Sequence, residues 1–190
     1  GLEEQIRAQL QEAAHAFYNQ LILKVRDGWK IDIPEWFVKK VALLGDISGR
    51  LRTPVKVTRE GAVLYYPEAE VGSRVSKEFA KLAKGSALLS SRHFVTEEDY
   101  ELVLRVAVDG MHKRRRRIIS ALYMSAEPLR EEVLKDITGI PRSTLRRELI
   151  AIEELGIADY DTFSNKSRET PHWFLVPQIK DQIRASGMAE

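Results

Sequence analysis

A mainly helical chain in two parts, a bundle of helices carrying one small β-hairpin and then a compact three-helix unit closed by two strands, is what this sequence predicts. Three observations predict it. Apolar residues recur at steps of three and four through most of the chain, the signature of helices with one inward face. Strand-like composition is confined to two stretches, residues 53–71 and Ile157 to Pro177. Helix punctuation at Pro34, Thr96, Gly139 and Pro141 falls between the periodic runs.

Composition supports a packed fold. The chain has 190 residues, 44% of them apolar, and its 31% of charged residues nearly cancel in sign. It contains no cysteine, which excludes disulfides and thiolate metal sites and places the expected setting inside the cell, in the cytoplasm. The opening stretch carries paired acids rather than a basic signal region, and no apolar run approaches the ~18–20 residues that a membrane span needs. No membrane partner is therefore expected.

The elements follow in order. Leu2, Ile6, Leu10, Ala13, Phe17, Leu21 and Val25 draw one stripe along a long first helix, residues 2–26. A second helix starts near Pro34, which suits a first helical turn, and runs through Phe37, Val41 and Leu44 towards Leu51. Residues 53–71 form a short hairpin or ordered loop around Glu60-Gly61. The third helix, Ser73 to Leu89, turns Val75, Phe79, Leu82 and Leu89 inward, and Gly85 within it suggests close helix packing, since glycine there costs ~1 kcal/mol relative to alanine. Thr96 caps the fourth helix, with Asp99 completing a capping box and Val95 packing on Tyr100, so Glu97, Glu98 and Asp99 are capping and helix-dipole residues rather than a catalytic pair.

From His112 the pattern becomes tri-helical. One helix passes through Ile118, Ile119, Leu122 and Tyr123, a second spans Leu129 to Ile137, and Thr138-Gly139-Ile140 makes a tight turn before a third that starts at Pro141 and ends at Leu155 or Gly156. On that third helix Leu145, Leu149 and Ile152 share the core face, which turns Ser143, Arg147 and Ile150 outward with Arg146 on the flank. Two strands, "IADYD" and "HWFLVP", follow around a polar tip that carries Lys166 and Arg168. Turn, helix and strand pair in this order make a winged helix-turn-helix over residues 112–178, and double-stranded DNA is its expected partner. Arg142, Ser143, Thr144, Arg146 and Arg147 would meet the major groove, where arginine can bond guanine bidentately, and Lys166 and Arg168 on the wing would meet phosphates. A winged helix that binds protein instead is the alternative.

Charge placement agrees with this assignment. Of the 30 Lys and Arg and 28 Asp and Glu, 14 and 12 lie from His112 onward, so the whole excess of +2 sits there. Lys113, Arg114, Arg115, Arg116 and Arg117 begin a helix, where the dipole disfavours cations, so an anion should compensate them. Lys113, Arg114 and Arg115 are accordingly expected at phosphates. A solvated linker run, or contacts to acids of the first half, would explain the same residues.

Two resemblances add to this reading. The segment "TGIPRSTLRRELIAIEELGIADY" looks like the turn, recognition helix and first wing strand of prokaryotic winged-helix regulators. Residues 72–108, with "GSRVSKEFAKLAKGSALLSSRHFVTEEDYELVLRVA", resemble the helical lid of AAA+ ATPases of the minichromosome-maintenance and MoxR type, although Ser91-Arg92 stands where those lids have Gly-Arg. That resemblance implies residues 1–110 as a lid-like domain, 111–180 as the DNA-binding domain and 181–190 as a tail. It also implies a neighbouring ATPase core with its ring partners, to which the first helix would link, and Arg74 as a sensor-2 arginine reaching the γ-phosphate of ATP. Arg74 would otherwise pair with Glu70 or Glu78.

Other chemistries are not supported. No G-x-x-x-x-G-K-[ST] loop is present, so the chain is expected to hydrolyse no ATP by itself and to bind no cofactor alone, with ATP and magnesium entering only through an ATPase core. His15, His93, His112 and His172 lack zinc-ligand spacing. No serine lies in a nucleophile elbow, and Trp29, Trp36 and Trp173 are expected as core anchors. Three functions follow: the C-terminal part of a DNA-acting AAA+ ATPase, a free-standing regulator whose residues 1–110 dimerise or bind an effector, or a protein-binding adaptor.

Overall fold

A computed structural model of the chain describes residues 1–190 apart from 27, 59, 66–70, 166, 167, 189 and 190, and leaves the side chains of 65, 163–165, 168 and 169 undescribed. The described residues are mainly helical: α1 (Leu2–Arg26), α2 (Glu35–Arg52), β1 (Lys56–Val57), β2 (Val63–Tyr65), α3 (Gly72–Leu89), α4 (Glu97–Gly110), α5 (Lys113–Met124), β3 (Leu129–Arg130), α6 (Glu131–Thr138), α7 (Arg142–Glu154), β4 (Ala158–Asn165), β5 (Arg168–Leu175) and α8 (Pro177–Ala185). None of the helices is long and apolar enough to cross a membrane.

Two cores share one helix. Phe37, Val41 and Leu44 from the first half of α2 pack with Val75 and Phe79 of α3 and Tyr100 and Val103 of α4. Ile47 and Leu51 from its second half pack with Ile118 of α5, Leu149 of α7, Trp173 of β5 and Ile183 of α8. Steps of three and four keep the α2 stripe unbroken, so a single inward face serves both cores. The boundary expected at residue 110 is therefore bridged by α2. It is bridged again where the Tyr100 hydroxyl donates to the Ser186 carbonyl at 2.6 Å and Arg50 Nη1 donates to the Leu155 carbonyl at 3.2 Å.

Several expectations are corrected. The N-terminal bundle has three packed helices, because α1 stands outside it: every residue from Gly1 to Gln20 is exposed and Leu21 alone among the described residues of α1 is buried. The residues expected as a tail from 181 continue α8, whose Ile179 and Ile183 are core. Leu129 starts no helix but pairs as β3 with Trp173, giving a three-stranded antiparallel sheet of order β3-β5-β4. Leu89 is exposed, and Ala83 and Ala87 take the inner positions of α3.

The glycines divide differently as well. A Cβ at Gly85 would meet nothing, whereas one at Gly45 would lie 2.9 Å from the Gly72 carbonyl oxygen and one at Gly72 would lie 2.8 Å from Asp46 Cα. Close packing of α2 on α3 thus rests on Gly45 and Gly72. The capping box at Thr96 and Asp99 is present as expected, with the Thr96 N–H donating to Asp99 Oδ2 at 2.8 Å. Asp99 also accepts from Arg92 Nη1 at 2.7 Å and Nη2 at 2.9 Å. Burial opposes its charge, yet the hydrogen bonds from Arg92, Ser86 and Thr96 outweigh burial and hold its carboxyl below the usual range. Trp173 is buried, while Trp36 is half-buried and Trp29 is half-buried and stacks on exposed His93 with ring centres 3.8 Å apart.

Candidate nucleic-acid interface

The position of α7 follows from its turn. Gly139 ends α6 in the left-handed conformation, φ 65°, which glycine adopts without a Cβ penalty, and its N–H donates to the Lys135 carbonyl. Ile140, 3% exposed, anchors the turn and Pro141 precedes the first residue of α7. Leu145, Leu149 and Ile152 are fully buried, each contributing roughly 2 kcal/mol or more through removal from water. Geometry then leaves Arg142, Ser143, Arg146 and Arg147 exposed and Thr144 half-buried.

The three arginines are not equivalent. Arg142 pairs with Glu132 at 3.1 Å and approaches Glu131 at 3.9 Å, both in the first turn of α6. Arg147 Nε donates to the Ser143 carbonyl of its own helix at 3.3 Å. The Arg146 side chain makes no hydrogen bond or ion pair with any described residue. Towards the other end of α7, the tip of the β1–β2 hairpin covers Ile150: a Cβ at Gly61 would lie 3.2 Å from Ile150 Cδ1. Ile150 is half-buried rather than turned outward, so the hairpin interrupts the outer face of α7 between exposed Arg147 and exposed Glu154.

Between hairpin and helix runs an open groove lined by Lys56, Leu64, Arg114, Thr144 and Arg147. Four sequence-predicted residues line it, Arg114, Arg115, Thr144 and Arg147. Lys56 joins them from β1 and was missed by pattern alone, because nothing in the local sequence says that the hairpin docks on α7.

The basic run at the start of α5 is split by the fold. Lys113 and Arg114 are exposed, whereas Arg115, expected at phosphates on the sequence pattern, is 5% exposed and bonded mainly within the chain. It lies three and four residues before Ile118 and Ile119, on the inward face of α5. There Nη1 donates to the carbonyls of Thr53 at 2.5 Å and Leu51 at 3.3 Å, at the C-terminal end of α2 where a cation is favoured, and Nε donates to Glu148 Oε2 at 3.2 Å. Glu148, on α7, also lies 3.7 Å from His112 Nδ1 and 4.0 Å from Arg114. It is one internal anion for the run, and a second is Asp109, 3.8 Å from Arg116.

Of the two cations expected at the strand tip, Lys166 lies outside the described residues. Arg168 begins β5 with its backbone opposite Asn165, and its side chain is undescribed. Arg130 of β3, which pattern did not single out, is exposed and donates from Nε to His172 Nε2 at 2.9 Å.

Arg74 is exposed in the first turn of α3, and no described side chain bonds to it. Glu78 pairs instead with Lys81 at 2.9 Å, and the hydrogen bond and charge of Lys81, with a smaller pull from Arg74, hold its carboxyl below the usual range. Glu70, the other expected partner, lies outside the described residues. Arg92, which follows α3 in the lid-like stretch, is tied to Asp99 and Thr96.

Compared with models of protein families, with curated proteins and with solved structures, the chain matches none.

Proposed function

We propose that residues 112–178 are a winged helix-turn-helix that binds double-stranded DNA, with α7 as the recognition helix and β4–β5 as the wing. One observation carries this reading. Arg146 and Arg147 stand on the free outer face of a helix whose opposite face is fully buried, so they can reach a groove without unfolding anything. Because the hairpin covers Ile150, α7 would enter a major groove about 12 Å wide by its N-terminal turns, the part of such a helix that meets base edges. Lys56, Lys113 and Arg114 would then meet phosphates beside the groove.

The wider setting we propose is the C-terminal lid and DNA-binding part of a AAA+ ATPase acting on DNA. Its support is the lid-like sequence of residues 72–108 and an exposed Arg74 with no hydrogen bond or ion pair to a described side chain, which in that setting would reach a nucleotide phosphate held by the core. ATP and magnesium would belong to that core. A free-standing regulator is the second reading, favoured by the exposed apolar stripe of α1. A regulator would protect two half-sites about 34 Å apart, whereas the ATPase part would bind as one unit with little sequence preference.

Arg146→Ala and Arg147→Ala test the DNA assignment. Each is expected to weaken binding to a duplex by about 1–3 kcal/mol if it reads a base, or to reduce the salt slope by about one if it meets a phosphate. Fluorescence anisotropy titrations at low and moderate salt measure both, and identical curves for wild type and the double variant would remove α7 from the interface.

A further inference from the structure

The long first helix raises a separate question. Leu2, Ile6, Leu10 and Phe17 are 75%, 49%, 66% and 42% exposed, although they form one stripe. Only the last turns are tied to the body: Leu21 is buried, Lys24 Nζ donates to Ser91 Oγ at 2.7 Å, and the same ammonium lies 4.9 Å from the centre of the Trp29 ring. A helix of this length is marginal in water when nothing covers its apolar face.

The order of residues on α1 says what would cover it. Reading outward from the Ala13-Ala14 bond, the stripe is the same in both directions: Leu10 matches Phe17, Ile6 matches Leu21, and Leu2 matches Val25. The two ends differ in charge, with Glu3 and Glu4 in the first turn and Lys24 and Arg26 in the last, and Glu3 falls opposite Lys24. Such a pattern is self-complementary under a two-fold axis through the middle of the helix, where each residue meets its match on the other copy. Antiparallel pairing also sets opposite helix dipoles side by side, while a parallel pair would place acids against acids.

We propose that α1 is the helix through which two copies of this chain pair, antiparallel and two-fold, with the axis at Ala13-Ala14. Small residues at the centre, Ala13, Ala14 and Ala16, allow the axes to approach closely. Steps of four dominate the stripe, so it winds slowly around the helix, and the two helices meet at a crossing. Contact concentrates on Leu10, Ala13, Ala14 and Phe17. Leu21, already covered in its own chain, lies at the edge of this contact. The inference rests on α1 alone and holds whether or not α7 binds DNA.

Sedimentation velocity across the micromolar range tests it on the whole chain. A dimer is expected, and Leu10→Glu or Phe17→Glu is expected to give a monomer with unchanged near-UV circular dichroism from the two cores. A chain without cysteine makes orientation measurable: Leu10→Cys and Phe17→Cys proteins should cross-link to each other when mixed and oxidised, and far more slowly to themselves. A wild-type monomer at every concentration, a dimer that survives Leu10→Glu, or rapid self-cross-linking of Leu10→Cys would each overturn the proposal. Duplex binding by the monomeric variant, measured alongside, keeps this outcome apart from that of the DNA assignment.

Discussion

α1 and α7 are both amphipathic helices with a clean apolar stripe and cationic side chains, and they end in opposite situations. In α7 the stripe Leu145, Leu149 and Ile152 is wholly buried and arginines face outward. In α1 the stripe itself faces outward, from Leu2 through Phe17. Periodicity therefore identifies which face of a helix seeks cover but says nothing about whether the same chain supplies it. For α7 the cover is α2, α5 and the β3-β5-β4 sheet, and for α1 the proposed cover is a second copy.

The largest effect should come from deleting equivalent leucines. Leu149→Ala opens a cavity in the second core and is expected to cost about 2–5 kcal/mol in urea unfolding, whereas Leu10→Ala should change the unfolding free energy of the isolated chain by less than about 0.5 kcal/mol. Equal costs would mean that α1 is packed after all.

An intermediate effect should separate two adjacent arginines. Arg115→Ala removes the nearest cation from Glu148, whose side chain is 13% exposed, together with the side-chain hydrogen bonds to the Leu51 and Thr53 carbonyls, so a loss of about 3 kcal/mol is expected. Arg114→Ala, at an exposed pair 4.0 Å from Glu148, should leave stability within about 0.5 kcal/mol and act on duplex binding instead. Thermal unfolding and anisotropy on the same two proteins would expose any exchange of these roles.

The smallest pair concerns glycines. Gly85→Ala has open space and should stabilise by up to about 1 kcal/mol, while Gly45→Ala drives a methyl group into the α3 backbone and should destabilise by a similar amount or more. Opposite signs in chemical denaturation are the outcome to look for.

A pH titration bears on the bundle in the same way. Because the Asp99 carboxyl is lowered in the folded chain, its contribution is complete above the ordinary carboxylate pKa of about 4 and is lost as pH falls through the lowered value. Asp99→Asn should flatten the acid limb of the stability curve, and an unaltered limb would mean that other carboxylates govern it.

Much of this organisation was legible before any coordinates. The capping box at Thr96 and Asp99, the Gly139 turn and the core face of α7 are local patterns, and local sterics and hydrogen bonding suffice to produce them. Arg115 was not legible, because five consecutive cations look alike until Ile118 and Ile119 choose the inward face and the C-terminus of α2 arrives beside it. Glu148 and Lys56 were hidden for the same reason. Each acquires its role from a segment far away in the chain.

By itself the sequence determined most helix positions, the apolar face of α7 and the turn before it, since these depend on neighbours within a few residues. Tertiary structure alone decided that α2 serves two cores, that the hairpin covers Ile150, that Arg115 is internal and that α1 is left uncovered. Those outcomes depend on which surfaces compete for burial across the whole chain, and no window of sequence contains that competition.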